Sequence, residues 1–221
     1  MPTRICIAGD NYMSTTKYRK VIFMLLAIWA VFTLAACQRP ARLPVLAKSD
    51  VVVAFGDSIT FGTGAEPQES YPAVLEQMIG RRVINAGVPG EITAEGLSRL
   101  PQILESEKPA LLILCHGGND HLRQLNHGQA ADNIREMIRL ARHRGTAVAL
   151  IAVPGFSLSV SLEPMYKDIA KEFKIPLEEK TLPDILADNS LKSDYIHPNA
   201  AGYRRLAEAV AALLKKSGAI D

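Results

Sequence analysis

Four short apolar runs, set between stretches whose apolar residues recur at helical spacing, leave this chain few ways to fold. Val51–Phe55, Val83–Asn85, Leu111–Cys115 and Ala147–Val153 are largely β-branched or leucine-rich, as strands covered on both faces tend to be; Ile175–Leu177 is a weaker fifth. Between them run one-sided stripes. Tyr71, Val74, Leu75, Met78 and Ile79 form one, with Pro72 in its first turn. Ala130, Ile134, Met137, Ile138 and Ala141 form a second. Tyr203, Leu206, Ala207, Val210, Leu213 and Leu214 form a third, for which Asn199 is the expected N-cap. Strands alternating with helices predict a parallel sheet covered on both faces, which binds its ligands beyond the carboxyl ends of the strands.

The first 49 residues read differently. Lys17, Arg19 and Lys20 precede an apolar run from Val21 to Ala36, about the length of a signal-peptide core and shorter than a membrane span. The run ends Leu34-Ala35-Ala36-Cys37, which resembles the bacterial lipobox, where cleavage precedes a cysteine that takes a lipid. Met1–Tyr12 add nothing to this signal, and Met13 is an alternative start. The expected organisation is a lipoprotein signal peptide over 1–36, a lipidated tether over 37–49, and one domain over 50–221. Two prolines and three basic residues between Gln38 and Ser49 suit a tether. A glutamine after Cys37, instead of aspartate, points to the outer membrane of a Gram-negative envelope, with the lipid on Cys37 as the membrane contact. Removing the first 36 residues leaves 21 basic and 22 acidic side chains, so the body is near neutral and carries no nucleic-acid footprint. With Cys37 acylated and Cys6 removed, Cys115 has no thiol to pair with and reads as a buried core group.

Three pieces carry chemistry. Directly after the first strand stands Phe55-Gly56-Asp57-Ser58-Ile59-Thr60, which puts a serine hydroxyl on a strand-to-helix turn. Near the other end stands Asp194-Tyr195-Ile196-His197-Pro198: the three-residue spacing can return the carboxylate to the imidazole, and Pro198 keeps His197 out of a helix. Such an acid holds Nδ1 and leaves Nε2 to accept a proton. The third piece is a set of donors for a developing oxyanion. Gly90, in Asn85-Ala86-Gly87-Val88-Pro89-Gly90, can bring a backbone N–H close to a ligand, and Asn119, in Gly117-Gly118-Asn119-Asp120, can offer an amide. The Ser58 N–H completes the set. No His or Cys cluster has metal-ligand spacing, and no cofactor is implied.

Ser58, Gly90, Asn119 and His197 stand in the order that names the SGNH hydrolases, the GDSL family, and the blocks GDSIT, NAGVPGE, GGNDHLR and DYIHPNAAGY resemble that family over nearly all of the chain from Val51 onward. The Gly-Gly-Asn-Asp-x-Leu-Arg block and the short domain are similar to its thioesterase, arylesterase and lysophospholipase branch. The resemblance implies a three-layer α/β/α sandwich, flavodoxin-like, with about five parallel strands. It also implies Ser58, Asp194 and His197 as catalytic residues, and Ser58, Gly90 and Asn119 as the oxyanion hole. Two departures stand out: Val153–Val160 lacks the Asn-Tyr-Gly-containing loop usual in the arylesterase branch, and His116 precedes the glycine pair.

The expected activity is hydrolysis of a short or medium acyl ester, thioester or lysolipid through an acyl-enzyme. Leu122, Leu125, Leu158, Val160 and Ile196 are the expected acyl-facing wall. A glycan O-acetylesterase and a non-catalytic binding lipoprotein are the alternatives. His116 reads as a structural group at a strand end, His121 as a pocket edge, and His127 and His143 as solvated. Asp57 and Asp120 are expected to hydrogen-bond their own turns, Asp120 being a second possible partner for the histidine.

Overall fold

A computed structural model describes residues 41–156, 160–162 and 164–221. The expected signal peptide, Cys37 and Leu158 lie outside these residues. Five strands, β1 (Val52–Gly56), β2 (Val83–Gly87), β3 (Leu111–Cys115), β4 (Ala147–Ile151) and a two-residue strand (Leu177–Glu178), form one sheet. Their order is two-one-three-four-five, and every pairing is parallel. This is the flavodoxin-like order, matching the expected fold class. A separate hairpin, β5 (Pro154–Phe156) with β6 (Val160–Leu162), was not legible in the sequence; Leu177–Glu178 is therefore β7 in chain order.

Burial follows position in the sheet. Every residue of the central β1 and β3 is buried, whereas in edge strand β2 only Val83 and Ala86 are. The helices are α1 (Ser58–Phe61), α2 (Tyr71–Ile79), α3 (Thr93–Glu107), α4 (Gly118–Leu122), α5 (His127–His143), α6 (Pro164–Phe173), α7 (Thr181–Ala187) and α8 (Ala200–Lys216). The stripe of α5 is buried throughout, and in α8 Tyr203, Leu206, Ala207, Val210 and Leu214 are buried while Leu213 is half-buried. Met78 departs from its stripe and is 39% exposed at the last turn of α2, which ends at Gly80. Truncating a buried leucine of these layers would cost about 2–5 kcal/mol. Asn199 caps α8 as expected, its side chain accepting the Gly202 N–H at 3.1 Å.

The second half of the expected tether belongs to the domain. Leu43 N–H donates to Ser217 O at 3.0 Å and Leu46 N–H to Ala219 O at 2.8 Å, so this segment pairs with the chain's last residues. Leu46 is 2% exposed, and Arg81 donates to its carbonyl from just before β2. The apolar Leu43 and Leu46 are the physical reason: burying them on the sheet's amino end outweighs the freedom that the neighbouring prolines and basic residues suggest.

Candidate active site

The strand order reverses between β1 and β3, the place where such sheets open a crevice. Register aligns Gly56 with both Gly87 and Cys115, so the loops after β1, β2 and β3 leave the sheet at one level. Asp57 caps α1, its Oδ1 accepting the Ile59 N–H at 3.1 Å, and Ser58 thereby becomes the first helical residue. Gly62, at φ +99°, closes this single turn, its N–H returning to Ser58 O.

His197 arrives on the loop between α7 and α8. Ser193 N–H donates to His197 O at 2.9 Å and Asn199 N–H to Leu191 O at 2.9 Å, which narrows the loop. The Tyr203 hydroxyl donates to Thr63 O at 2.8 Å, tying α8 to the turn after α1. These ties bring His197 Nε2 to 3.0 Å from Ser58 Oγ, across 139 residues of sequence. His197 Nδ1 lies 2.8 Å from Asp194 Oδ2, while Asp194 Oδ1 accepts the backbone N–H groups of Ile196 and His197. An acceptor on Nδ1 leaves Nε2 as the base toward serine. Burial raises the Asp194 pKa, but the hydrogen bonds from His197 and from the two backbone groups outweigh it and hold the carboxyl below its ordinary range.

Of the donors expected around an oxyanion, Asn119 lines the same depression as Ser58, and Gly90 is linked to it through Glu91. Gly90 adopts φ +78°, the left-handed region that disfavours a side chain, and its carbonyl accepts Arg123 Nη2 at 2.7 Å. Asn119 lies in α4; its Nδ2 donates to Glu91 O at 3.0 Å and lies 3.4 Å from Asp57 Oδ2. Burial lifts the Asp57 pKa above the usual range.

Asp120 corrects an expectation. It leaves its own turn and caps α3, accepting Thr93 N–H at 2.8 Å and the Thr93 hydroxyl at 2.6 Å, with Asn133 behind that hydroxyl. It is thus a brace between α4 and the start of α3, and the carboxylate on His197 is that of Asp194. His116 is fully buried at the end of β3, as a structural group would be. The structure adds two partners that no motif flagged. Glu91 receives Arg99 through two bonds of 2.8 and 2.7 Å and meets His116 Nε2 at 3.0 Å. His116 Nδ1 accepts the Gly117 N–H, which turns Nε2 toward the Glu91 carboxylate. Burial raises the Glu91 pKa, yet the Arg99 and His116 hydrogen bonds outweigh it and lower it to about 2. The sequence signal was slight: one acid after a glycine, one arginine in an amphipathic stretch.

A shallow depression beside Ser58 is lined by Asp57, Ile59, Gly118, Asn119, Leu122, Val153 and Ile196. Of the expected acyl wall, Leu122 and Ile196 are present and Leu125 is not. Val160 lies on β6, and Ile59 and Val153 are additions. His121 edges a neighbouring depression with Tyr166 and Met165, and its ring lies 5.0 Å from that of His127. His127 and His143 are exposed.

A serine, a histidine and a carboxylate in sequence of contact, at the mouth of a flavodoxin-like sheet, define a hydrolase class. Residues 54–205 match the model of the GDSL-like Lipase/Acylhydrolase family, and the chain belongs to that family. It is a carboxylic-ester hydrolase, a serine esterase of the GDSL type. The esterase TesA of Pseudomonas aeruginosa is 32% identical over 196 residues, covering 82% of this chain and 96% of that protein. Thioesterase 1/protease 1/lysophospholipase L1 of Escherichia coli K12 is 27% identical over 161 residues, covering 69% and 77%. A crystal structure of TesA superimposes with a TM-score of 0.65 at 30% identity, over 75% of this chain and 98% of that one. These relatives favour an acyl esterase over the glycan O-acetylesterase reading.

Proposed function

We propose that this esterase uses Ser58 as nucleophile on short or medium acyl esters, thioesters or lysolipids. The observation that carries the assignment is the contact chain Ser58 Oγ–His197 Nε2, 3.0 Å, and His197 Nδ1–Asp194 Oδ2, 2.8 Å. Oγ bonds to the carbonyl carbon as its proton passes to Nε2; the imidazolium then returns that proton to the leaving oxygen or sulfur, and the acyl group stays on Ser58. Water, activated by the same nitrogen, releases the acid. Asp194 fixes the tautomer and stabilises the imidazolium. The Ser58 and Gly90 N–H groups and Asn119 Nδ2 bind the oxyanion. One Asn119 hydrogen is spent on Glu91 O; the other has only the long approach to Asp57 and is available to the substrate. The apolar lining of Ile59, Leu122, Val153 and Ile196 suits an acyl chain, and the names of the relatives, esterase and thioesterase/lysophospholipase, support the range.

Asn119→Ala tests the oxyanion assignment. Hydrolysis of short p-nitrophenyl esters should lose about 10²–10³ in kcat, with the melting profile retained. An unchanged kcat removes Asn119 from the hole. The wild-type chain should take up a fluorophosphonate probe on Ser58, mapped by peptide mass spectrometry; modification elsewhere sinks the nucleophile assignment.

The same proposal places the protein in a bacterial cell envelope, at the outer membrane, lipid-anchored through Cys37. What supports this is the Leu34-Ala35-Ala36-Cys37 sequence behind a basic and apolar leader. Cells fed a radiolabelled fatty acid should label the protein, and Cys37→Ala should abolish the label; a label surviving that change refutes the anchor.

A further inference from the structure

The Glu91 cluster is a buried ionic assembly that the reaction itself does not use. The Glu91 side chain is 5% exposed, and the partners it gathers come from a helix and from the end of a strand far apart in sequence. Arg99 projects from α3, donates also to Ala86 O at 3.1 Å at the end of β2, and lies 4.2 Å over the Phe55 ring at the end of β1. His116 directly follows β3 and is fixed in turn by the Gly117 N–H. Gly96 leaves the space: a Cβ there would fall 2.4 Å from His116 Nε2. A buried carboxylate is tolerated only where its lone pairs are matched by charge and hydrogen bonds, and a bidentate guanidinium with an imidazole N–H supplies both.

The position of this cluster gives it a consequence for the site. Glu91 directly follows Gly90, and its own backbone carbonyl is the acceptor that holds Asn119 Nδ2. We propose that Glu91, clamped by Arg99 and His116, is the positioning residue of the oxyanion hole, aiming both the Gly90 N–H and the Asn119 amide. This rests on the oxyanion assignment above. The side chain sets where the Glu91 backbone lies; that backbone sets the rotamer of Asn119 and the orientation of the turn at Gly90. A displacement well under an ångström matters, because donor strength toward a developing charge depends steeply on alignment.

A kinetic double-mutant cycle on the full chain decides it. Glu91→Gln keeps the size of the side chain but presents an amide that cannot satisfy both Arg99 and His116. It should lower kcat for a p-nitrophenyl ester about 10- to 100-fold with KM within about 2-fold. In an Asn119→Ala background the same change should cost much less, about 3-fold or under, since one of the two donors it aims is already gone. Full additivity, or a fall in melting temperature with kcat intact, overturns the proposal. Should Glu91→Gln fail to fold, Arg99→Lys carries the same cycle, keeping the charge while losing the fork. The oxyanion assignment fails separately: Asn119→Ala alone would leave kcat unchanged, whatever Glu91 does.

Discussion

Ser58→Ala should abolish ester hydrolysis, lowering kcat by about 10⁴–10⁶ against short p-nitrophenyl esters. Ser58 Oγ is the atom within bonding reach of His197 Nε2, at 3.0 Å, so removing it leaves the base without a nucleophile to activate. What survives is the binding of substrate and the remaining oxyanion donors, which account for the residual rate over water. The fold should hardly notice. Ser58 opens a one-turn helix whose cap is Asp57 and whose closing glycine is Gly62, and neither depends on the hydroxyl. The lost hydrogen bond is worth about 1 kcal/mol. The measurement is initial rate alongside a thermal melt. A variant that melts normally and still turns over would dismiss Ser58 as nucleophile.

The largest effect on stability is expected two residues earlier. A Cβ on Gly56 would stand 1.9 Å from Cys115 O and 2.4 Å from Thr60 Oγ1. Neither neighbour can yield cheaply: Cys115 is fully buried in the central ladder, paired with Gly56, and Thr60 is a fully buried residue of α1. Gly56→Ala must therefore push the central strands β1 and β3 apart or lift the turn that carries Ser58. Overpacking of this kind costs about 3 kcal/mol or more. In a domain of this size that lowers the melting temperature by roughly 6–12 °C. Activity should fall with it even well below the melt, because the same displacement moves Ser58 from His197. Calorimetry of wild type and variant checks the stability loss, and a rate at 15 °C checks the loss of activity. An unshifted melt would mean that β1 and β3 separate easily, contrary to their complete burial.

How legible these features were depended on sequence separation. The Asp194–His197 pair is three residues apart, so local geometry alone suggested it. The serine turn, the Gly90 turn and Asn119 each follow an apolar run, and a parallel sheet gathers all such ends. The Glu91–His116 and Thr93–Asp120 contacts span 25 and 27 residues and join the segments that follow β2 and β3, the two strands flanking β1. Such contacts exist only once the sheet has set its register, and a lone acid or threonine in a loop does not announce them. Helix α3 escaped for a different reason: its buried residues include Thr93 and Gly96, and Pro101 interrupts its interior, so its apolar stripe is thin. The β5–β6 hairpin is three residues a side, too short for alternation to register. Met78 kept the right spacing yet is exposed in the last turn of its helix, while Ile79 beside it is buried.

Helix α8 begins beside His197 and runs 17 residues to the point where Leu43 and Leu46 are bonded to Ser217 and Ala219. At 1.5 Å per residue that is about 25 Å, so the chain enters the domain at the pole opposite the catalytic mouth. Whatever is joined ahead of Leu43 therefore meets the domain at its amino end, and a tag or surface linkage made there leaves the approach to Ser58 open.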